Sequence, residues 1–444
     1  MRPQRPQRED PQGELFKVEL VRLCAPDHPL VRLAQSIDWA SFDAAFSPQY
    51  HPSTGRPALP TRLMVGLHYL KHVHDVSDEV AVATWCENPY WQYFCGGKFF
   101  EHELPFDPSS MTKWRQKVAA AGAQKLLEES IATGLRMKAI KPAQLTRVNV
   151  DTTVQPKAVR FPTDARLLDR ARERLVAEAE RAGVPLERTF RFVSRRALRR
   201  QSGYARAQQF RRARREVRRL RTYLRRVIRQ IERARPEAEG RLGAVLQVAR
   251  RILRQQRTDK GKVYSVHAPE VECLAKGKPH RPFEFGCKVS VATTARGHWV
   301  VGAQACPGSP YDGHTLAGAL AQVEKLTGTP PQQVAVDLGY RGHDYRGPAT
   351  VLIVNRFRRA VPERIRRWWR CRSAIEPVIG HLKASRRLER NRLKGTLGDQ
   401  LNVLFAAAAQ NLAKLLRHAA AFLRTLITAL CEPLTPLLLP VANA

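Results

Sequence analysis

The spacing of apolar positions changes several times along this chain, and each change marks a different kind of element. From residue 15 to about 140 the apolar residues recur at helical intervals, broken by two proline-rich joints, His51–Pro60 and Leu104–Pro108. Between the joints, TRLMVGLHYLKHVHDVSDEVAVATWCENPYWQYFCGG runs from an apolar-periodic helix into an aromatic cluster. Trp85, Tyr90, Trp91, Tyr93 and Phe94 of that cluster read as core. At Leu145 the period drops to two. LTRVNVDTTVQ alternates Val148 and Val150 and predicts a short strand with Asp151 near its end. Helical spacing returns over 164–258, where Leu167, Leu175, Leu220, Leu224, Val227 and Ile231 predict two or three long helices forming an antiparallel hairpin.

Strand signals resume at FEFGCKVSVATT (283–294) and HWVVGAQACP (298–307), joined through Ala295-Arg296-Gly297 as a hairpin. A helix is predicted from Asp312 to Leu326. QQVAVDLGYRG (332–342) reads as a strand ending at Asp337 with a glycine turn beyond it, and TVLIVN (350–355) as another strand. A helix carrying Glu376 and a long C-terminal helix complete the order. Strand, helical insertion, hairpin, helix, strand, strand, helix predicts an α/β fold: a mixed sheet flanked by helices. The expected division is a disordered basic tail (1–14), a helical N-terminal domain (15–140), a catalytic core (141–163 and 259–400), the insertion (164–258), and a C-terminal helix and tail (401–444).

Charge adds what the pattern cannot. Lys and Arg number 76 against 40 acids, a net +36. The insertion holds 29 arginines, no lysine and ten acids, a net +19. An imbalance this one-sided favours a polyanionic partner, with nucleic acid ahead of an anionic membrane, and makes the insertion a candidate phosphate-contacting arm. The N-terminus, MRPQRPQREDPQGE, does not read as a signal peptide. The apolar tail from Leu401 to Val441 is broken by Asn402, Gln410, Lys414, Arg417 and Arg424, which favours an amphipathic helix over a membrane span. Eight cysteines include no C-x-x-C pair, so a reducing cytoplasm is expected. His68, His72 and His74 lack both an H-E-x-x-H pattern and a third ligand, and no metal is expected there.

The acids carry the chemistry. Asp151 and Asp337 each end a predicted strand, where active sites of layered α/β sheets gather. Glu376 stands in RCRSAIEPVIGHLK among basic and apolar residues, four after Arg372 and seven before Lys383. Two readings compete for it. Ser373-x-x-Glu376 fits a capping box opening a helix near Ser373. Alternatively, Glu376 joins the two aspartates. Three gathered carboxylates repel one another unless a cation neutralises them, and an all-oxygen set suits Mg²⁺ or Mn²⁺. On an ideal helix Glu376 and Lys383 lie within about 20° of each other. His267, Glu270, Asp312 and His314 are possible supporting groups, with helix capping the simpler role for Asp312.

Three stretches make the set specific: VNVDTTVQ around Asp151, VAVDLGYRG around Asp337, and RCRSAIEPVIGHLKASRRLERNRLKGTLGDQLNVLFAAAAQN around Glu376. With 185 residues between the aspartates and 38 between Asp337 and Glu376, the chain resembles bacterial insertion-sequence transposases of the DDE type, in the group named after insertion sequence five. The N-terminal block GRPALPTRLMVGLHYLKH…NPYWQYFCGG resembles the helical domain of the same group. Arg372, Glu376 and Lys383 fall at the family's fixed steps, while Trp369 stands where the family has tyrosine. The resemblance implies an RNase H-like core with Asp151, Asp337 and Glu376 as catalytic metal ligands for two Mg²⁺ ions, Mn²⁺ substituting. It implies cleavage at the terminal inverted repeats of an element and attack of the freed 3′-OH on target DNA. Arg372, Lys383, Arg341, Arg386, Arg387 and Arg390 become candidate DNA contacts. A homodimer or larger assembly on DNA, in the bacterial cytoplasm at the nucleoid, is expected, with neither a membrane nor a small-molecule substrate involved. A nuclease of the same core without strand transfer, or a DNA-binding relative that has lost catalysis, are the alternatives. The second would normally have lost one of the acids, and all three are here.

Overall fold

A single strand organises the molecule. β1 (Arg147–Pro156) runs antiparallel to one neighbour and parallel to the other, and everything else packs around that arrangement. The computed structural model describes residues 18–51, 57–256, 258–278, 281–354, 363, 366 and 371–431; the side chains of 276–278, 281 and 422–431 lie outside that description. The expected tail at 1–14, residues 52–56 of the first proline joint, Trp369 and the residues after 431 also lie outside it.

Before β1 come helices α1 (Leu20–Leu23), α2 (Pro29–Ser36), α3 (Trp39–Phe46), α4 (Thr61–Val73), α5 (Asp78–Glu87), α6 (Pro89–Phe94) and α7 (Ser109–Arg136). The local chemistry explains several starts. Asp38 accepts from the amide of Ser41, Ser77 from Val80, and Asn88 from Tyr90 and Trp91, each supplying an acceptor for amides that a first turn leaves unpaired. Trp85, Trp91 and Phe94 are buried, with Tyr90 and Tyr93 half-buried against them, as the aromatic cluster predicted.

After β1 the chain leaves the sheet through α8 (Asp164–Arg181), α9 (Arg191–Arg206), α10 (Phe210–Ala234) and α11 (Gly240–Arg254). The expectation was two or three helices, and there are four. The turn residues Gly183 and Gly240 adopt positive φ, and together with the breaks at 207–209 and 235–239 they divide what periodicity alone joined. α10 shows why arginine dominates. It buries Ala213, Glu216, Leu220, Leu224, Val227, Ile228 and Ile231 at three- and four-residue steps, and arginine fills much of the remaining face.

The chain returns as β2 (Glu272–Lys278), β3 (Arg281–Thr294) and β4 (Val300–Cys306), then α12 (Asp312–Thr327), β5 (Gln333–Val336), β6 (Thr350–Ile353), α13 (Ile375–Ser385) and α14 (Gly395–Cys431). The sheet has six strands in the order β2-β3-β1-β5-β6, with β4 also on β3. β3 is antiparallel to β1, β2 and β4, whereas β1, β5 and β6 are mutually parallel. This is an RNase H-like mixed sheet. β2 was not anticipated; ECLAKGK lacks alternation and becomes a strand by pairing with the overhanging start of β3.

One hydrophobic core joins the N-terminal helices to the sheet. Leu67, Tyr69, Leu126 and Ile131 belong to the same buried cluster as Val148, Val150, Val289 and Val334. α14 ties the two together: it contacts α2, α4, α7 and β4, and buries Leu401, Leu404, Phe405 and Leu412. Its first turn is seated by a buried polar network. Asp399 accepts from Lys157 Nζ at 2.7 Å and from Asn391 Nδ2 at 2.6 Å, and Asn402 donates to Gln155 at 2.8 Å. Paired this way, the buried charges avoid most of the desolvation cost of an isolated ion. Among the described residues no helix is long and apolar enough to cross a membrane.

Candidate active site

Strand register brings the two aspartates together. Asn149 pairs with Ala335 across the parallel β1–β5 ladder. Asp151 and Asp337 each stand two residues further on. Side chains repeat every two residues, so both acids emerge on one face just beyond the last paired rung of the β1–β5 ladder. Asp337 follows the end of β5, but Asp151 lies midway along β1, which continues against β3 to Pro156 instead of ending near Asp151 as expected. Asp151 Oδ1 accepts from the amide of Thr152 at 2.8 Å. Asp337 opens a tight turn over Leu338–Tyr340, and its Oδ1 accepts from the amide of Gly339 at 2.9 Å. Tyr340 is fully buried beneath that turn.

Glu376 arrives from the first turn of α13. The predicted capping box is absent. The helix has Ala374 at its N-cap with no side-chain bond, and the turn before it is already helical from Cys371. Ser373 therefore sits inside a turn, where its hydroxyl cannot play the opening role. The backbone of that turn is held to β1: Asn149, on the same face as Asp151, donates from Nδ2 to the carbonyl of Cys371 at 3.1 Å.

What sits among the three acids is Arg372. Its Nη2 lies 2.8 Å from Asp151 and 3.5 Å from Asp337, and its Nη1 lies 3.4 Å from Glu376. The arginine side chain is 9% exposed, against 15% for Asp151, 40% for Asp337 and 58% for Glu376. The side chain of Arg372, a candidate DNA contact from the sequence, thus turns inward to the acids in this arrangement. A guanidinium beside three carboxylates is pulled inward by their summed charge. Burial pushes the Asp151 carboxyl up to about 6; Arg372 opposes that rise and the charge of Asp337 adds to it.

A fourth carboxylate stands close by. Asp312, the first residue of α12, accepts from Thr152 Oγ1 at 2.9 Å and from Lys288 Nζ at 2.9 Å. It supplies no cap to its own helix. Lys288 and Asn149 were not singled out from sequence. Their signal was available in the strand period, since Asn149 shares a face with Asp151, but only the fold shows what that face meets.

The other candidates separate. Lys383 lies 3.8 Å from Glu284 of β3. Arg386 donates to the carbonyl of Val73 at 2.6 Å, and Arg387 to that of Val76 at 2.7 Å and to Asp75 at 3.3 Å. These groups lie at and just past the end of α4, where helix carbonyls have no partner of their own. In this structure the donors of Arg386 and Arg387 latch the end of α13 to the end of α4. Arg341 and Arg390 are exposed. A basin of about 430 Å³ is bordered by Asp75, Lys383, Arg387, Glu389, Arg390 and Arg392. His267 bonds Ser265, and Glu270 pairs with Lys157 at 3.0 Å beyond the far end of β1. His314 packs edge-on against Tyr311.

The donors of this set are carboxylate oxygens, the ligands a hard divalent cation prefers, and a positive charge already rests among them. That chemistry fits a divalent ion. With Arg372 between them, no three acidic, histidine or cysteine groups among the described residues converge closely enough to share one.

A mixed sheet of this order and direction, with acids on one face of adjacent parallel strands, has the RNase H-like fold. Sequence comparison narrows it further. Residues 18–117 match a transposase domain (DUF772) and residues 256–412 match the transposase DDE domain, together more than half the chain. The chain belongs to the DDE transposases of insertion sequences. It is similar to the uncharacterized protein ORF8 in the nfe locus of Rhizobium meliloti, with 50% identity over 210 residues that span 47% of this chain and 100% of that protein. No solved structure matches.

Proposed function

We propose that this transposase cuts DNA at the ends of its element and joins the freed 3′-OH to target DNA, using Asp151, Asp337 and Glu376. The observation that carries the proposal is one guanidinium within salt-bridge range of all three acids: Asp151 midway along β1, Asp337 just past β5 and Glu376 in the first turn of α13. These three residues are the ones to hold Mg²⁺, or Mn²⁺ in its place, and two such ions supply Lewis acidity at the attacking and leaving oxygens of a phosphodiester. The chain's own residues fix the geometry. Asn149 anchors the turn bearing Arg372, and Lys288 and Thr152 hold Asp312 beside the aspartates. Lys383 and Arg390 border a basin open to phosphate, with Arg341 exposed beyond the Asp337 turn.

DNA is held mainly through phosphates. On α9, Arg191, Arg195, Arg196, Arg199, Arg200 and Arg206 are all exposed, and the helix contains no acid. Such a surface sets affinity and register, and base contacts elsewhere set sequence choice. Recognition of two inverted repeats requires two copies, so a homodimer or larger assembly on DNA belongs to this reading. The insertion-sequence-five group is the one whose pattern the site follows.

The test is Mg²⁺-dependent nicking of a duplex carrying the gene's own flanking repeats, with wild type beside Glu376→Gln. The variant is expected to fold and bind DNA with nicking reduced to background. Equal nicking by both proteins would remove Glu376 from the site.

A further inference from the structure

A site built from three carboxylates needs a positive charge, and this chain carries one of its own. That charge is the guanidinium of Arg372. It touches all three acids, yet the contacts are unequal: 2.8 Å to Asp151, but 3.4 and 3.5 Å to Glu376 and Asp337. A locked structural pair would show the short, two-pronged geometry that arginine forms with one carboxylate. Here one fork is shared across three, and the buried Nε has no hydrogen-bond partner. Glu376 and Asp337 also keep large solvent-facing fractions, which lowers what such pairing contributes to stability. The backbone beneath is fixed through Cys371 to Asn149, whereas the side chain above it is long and rotatable.

We propose that Arg372 is a tethered counter-ion. It gathers Asp151, Asp337 and Glu376 before metal arrives, and divalent metal displaces its guanidinium from them, which releases the arginine toward a DNA phosphate. The proposal rests on reading those three acids as the metal-holding set. Arg372 is a positioning residue in this scheme: it and the metal compete for the same oxygens, and its departure couples metal loading to DNA contact.

Calorimetric titration of the full chain with Mn²⁺, without DNA, tests this directly. Arg372→Gln is expected to bind Mn²⁺ at least about tenfold more tightly than wild type, because a competing charge within 4 Å has gone. Without metal its thermal midpoint should fall below that of wild type, and saturating Mn²⁺ should narrow the gap. Arg372→Lys keeps the charge but loses the fork, so it should bind Mn²⁺ more tightly than wild type by a smaller factor; it serves alone if the glutamine variant does not fold. Mn²⁺ affinity equal to or weaker than wild type in the folded variants overturns the counter-ion role. Asp151→Asn separates the two readings. If wild-type Mn²⁺ binding survives that change, the carboxylate site itself is wrong and the inference falls with it. If binding depends on Asp151 but not on Arg372, only the inference fails.

Discussion

The insertion and the rest of the molecule solve the burial problem differently. Helices α8–α11, with Val263 and Val266 of the returning chain, form a separate core in which Leu168, Leu175, Leu224, Ile231, Leu246 and Ile252 are buried. The N-terminal helices, by contrast, share one core with the catalytic sheet and α14. The exposed surfaces differ too. The insertion turns arginine outward along whole helices, while the shared core spends Arg386 and Arg387 on helix ends. Affinity for a polyanion and precision of a catalytic site make different demands. The first needs many replaceable charges on a self-supporting scaffold; the second needs a few groups fixed by packing from every side.

The sharpest way to break this contrast is to discharge α9. Replacing its six exposed arginines by glutamine should lower DNA affinity about 10³-fold and reduce the salt-dependence slope by about five, if each neutralises one phosphate. Filter binding across a salt series reads both, and an unchanged slope would remove the insertion from the DNA. Next come paired core truncations. Leu224→Ala should cost about 2–5 kcal/mol and Phe405→Ala about 3–5 kcal/mol. Hydrogen exchange should then show loss of protection confined to α8–α11 in the first case, but spread over α4, α7 and β4 in the second. Protection lost in β1 of Leu224→Ala would mean the two cores are energetically one.

The smallest effect is a difference in acid response. Burial, with Arg115 adding to it, lowers His68 to about 3, and burial with Lys71 holds His72 well below its ordinary value. His68 is neutral in the fold: Arg115 lies 3.3 Å from Nε2, leaving Nδ1–H to donate to the carbonyl of Met64 at 2.7 Å. A histidine whose folded pKa is depressed contributes stability above its ordinary value of 6.5, and that contribution is lost as pH falls from there toward 3. The shared core should therefore lose up to about 1.4 kcal/mol per pH unit per buried histidine in this window, and His68→Leu should flatten the slope. The insertion contains no histidine. Its denaturation midpoint should vary less between pH 7 and pH 5, as urea melts followed by exchange at α10 amides would show.

How much of this could be read from the chain alone follows from how far apart the deciding partners lie. Alternation found β1, and a glycine turn found the end of β5, because both signals are local. The resemblance of their sequence contexts to the DDE transposases then put Asp151, Asp337 and Glu376 in one set. The direction of Arg372 could not be read, since its partner Asp151 is 221 positions away and the arginine answers to charge rather than to helix phase. Arg386 and Arg387 look like a continuing basic surface until α4 places open carbonyls beside them. β2 has no pattern of its own and exists because β3 overhangs its other neighbours. The capping box failed for the opposite reason. Its local signal is present, but the turn from Cys371 starts earlier and leaves Ser373 no helix end to cap.

α14 also has a consequence in time. Residues 395–421 follow almost everything they pack against, so a growing chain cannot close the shared core until they have left the ribosome. The insertion's core is complete by Val266, shortly after α11, and contacts close in sequence form quickly. Synthesis therefore completes the arginine-rich insertion first and the shared core, with the acids it positions, last.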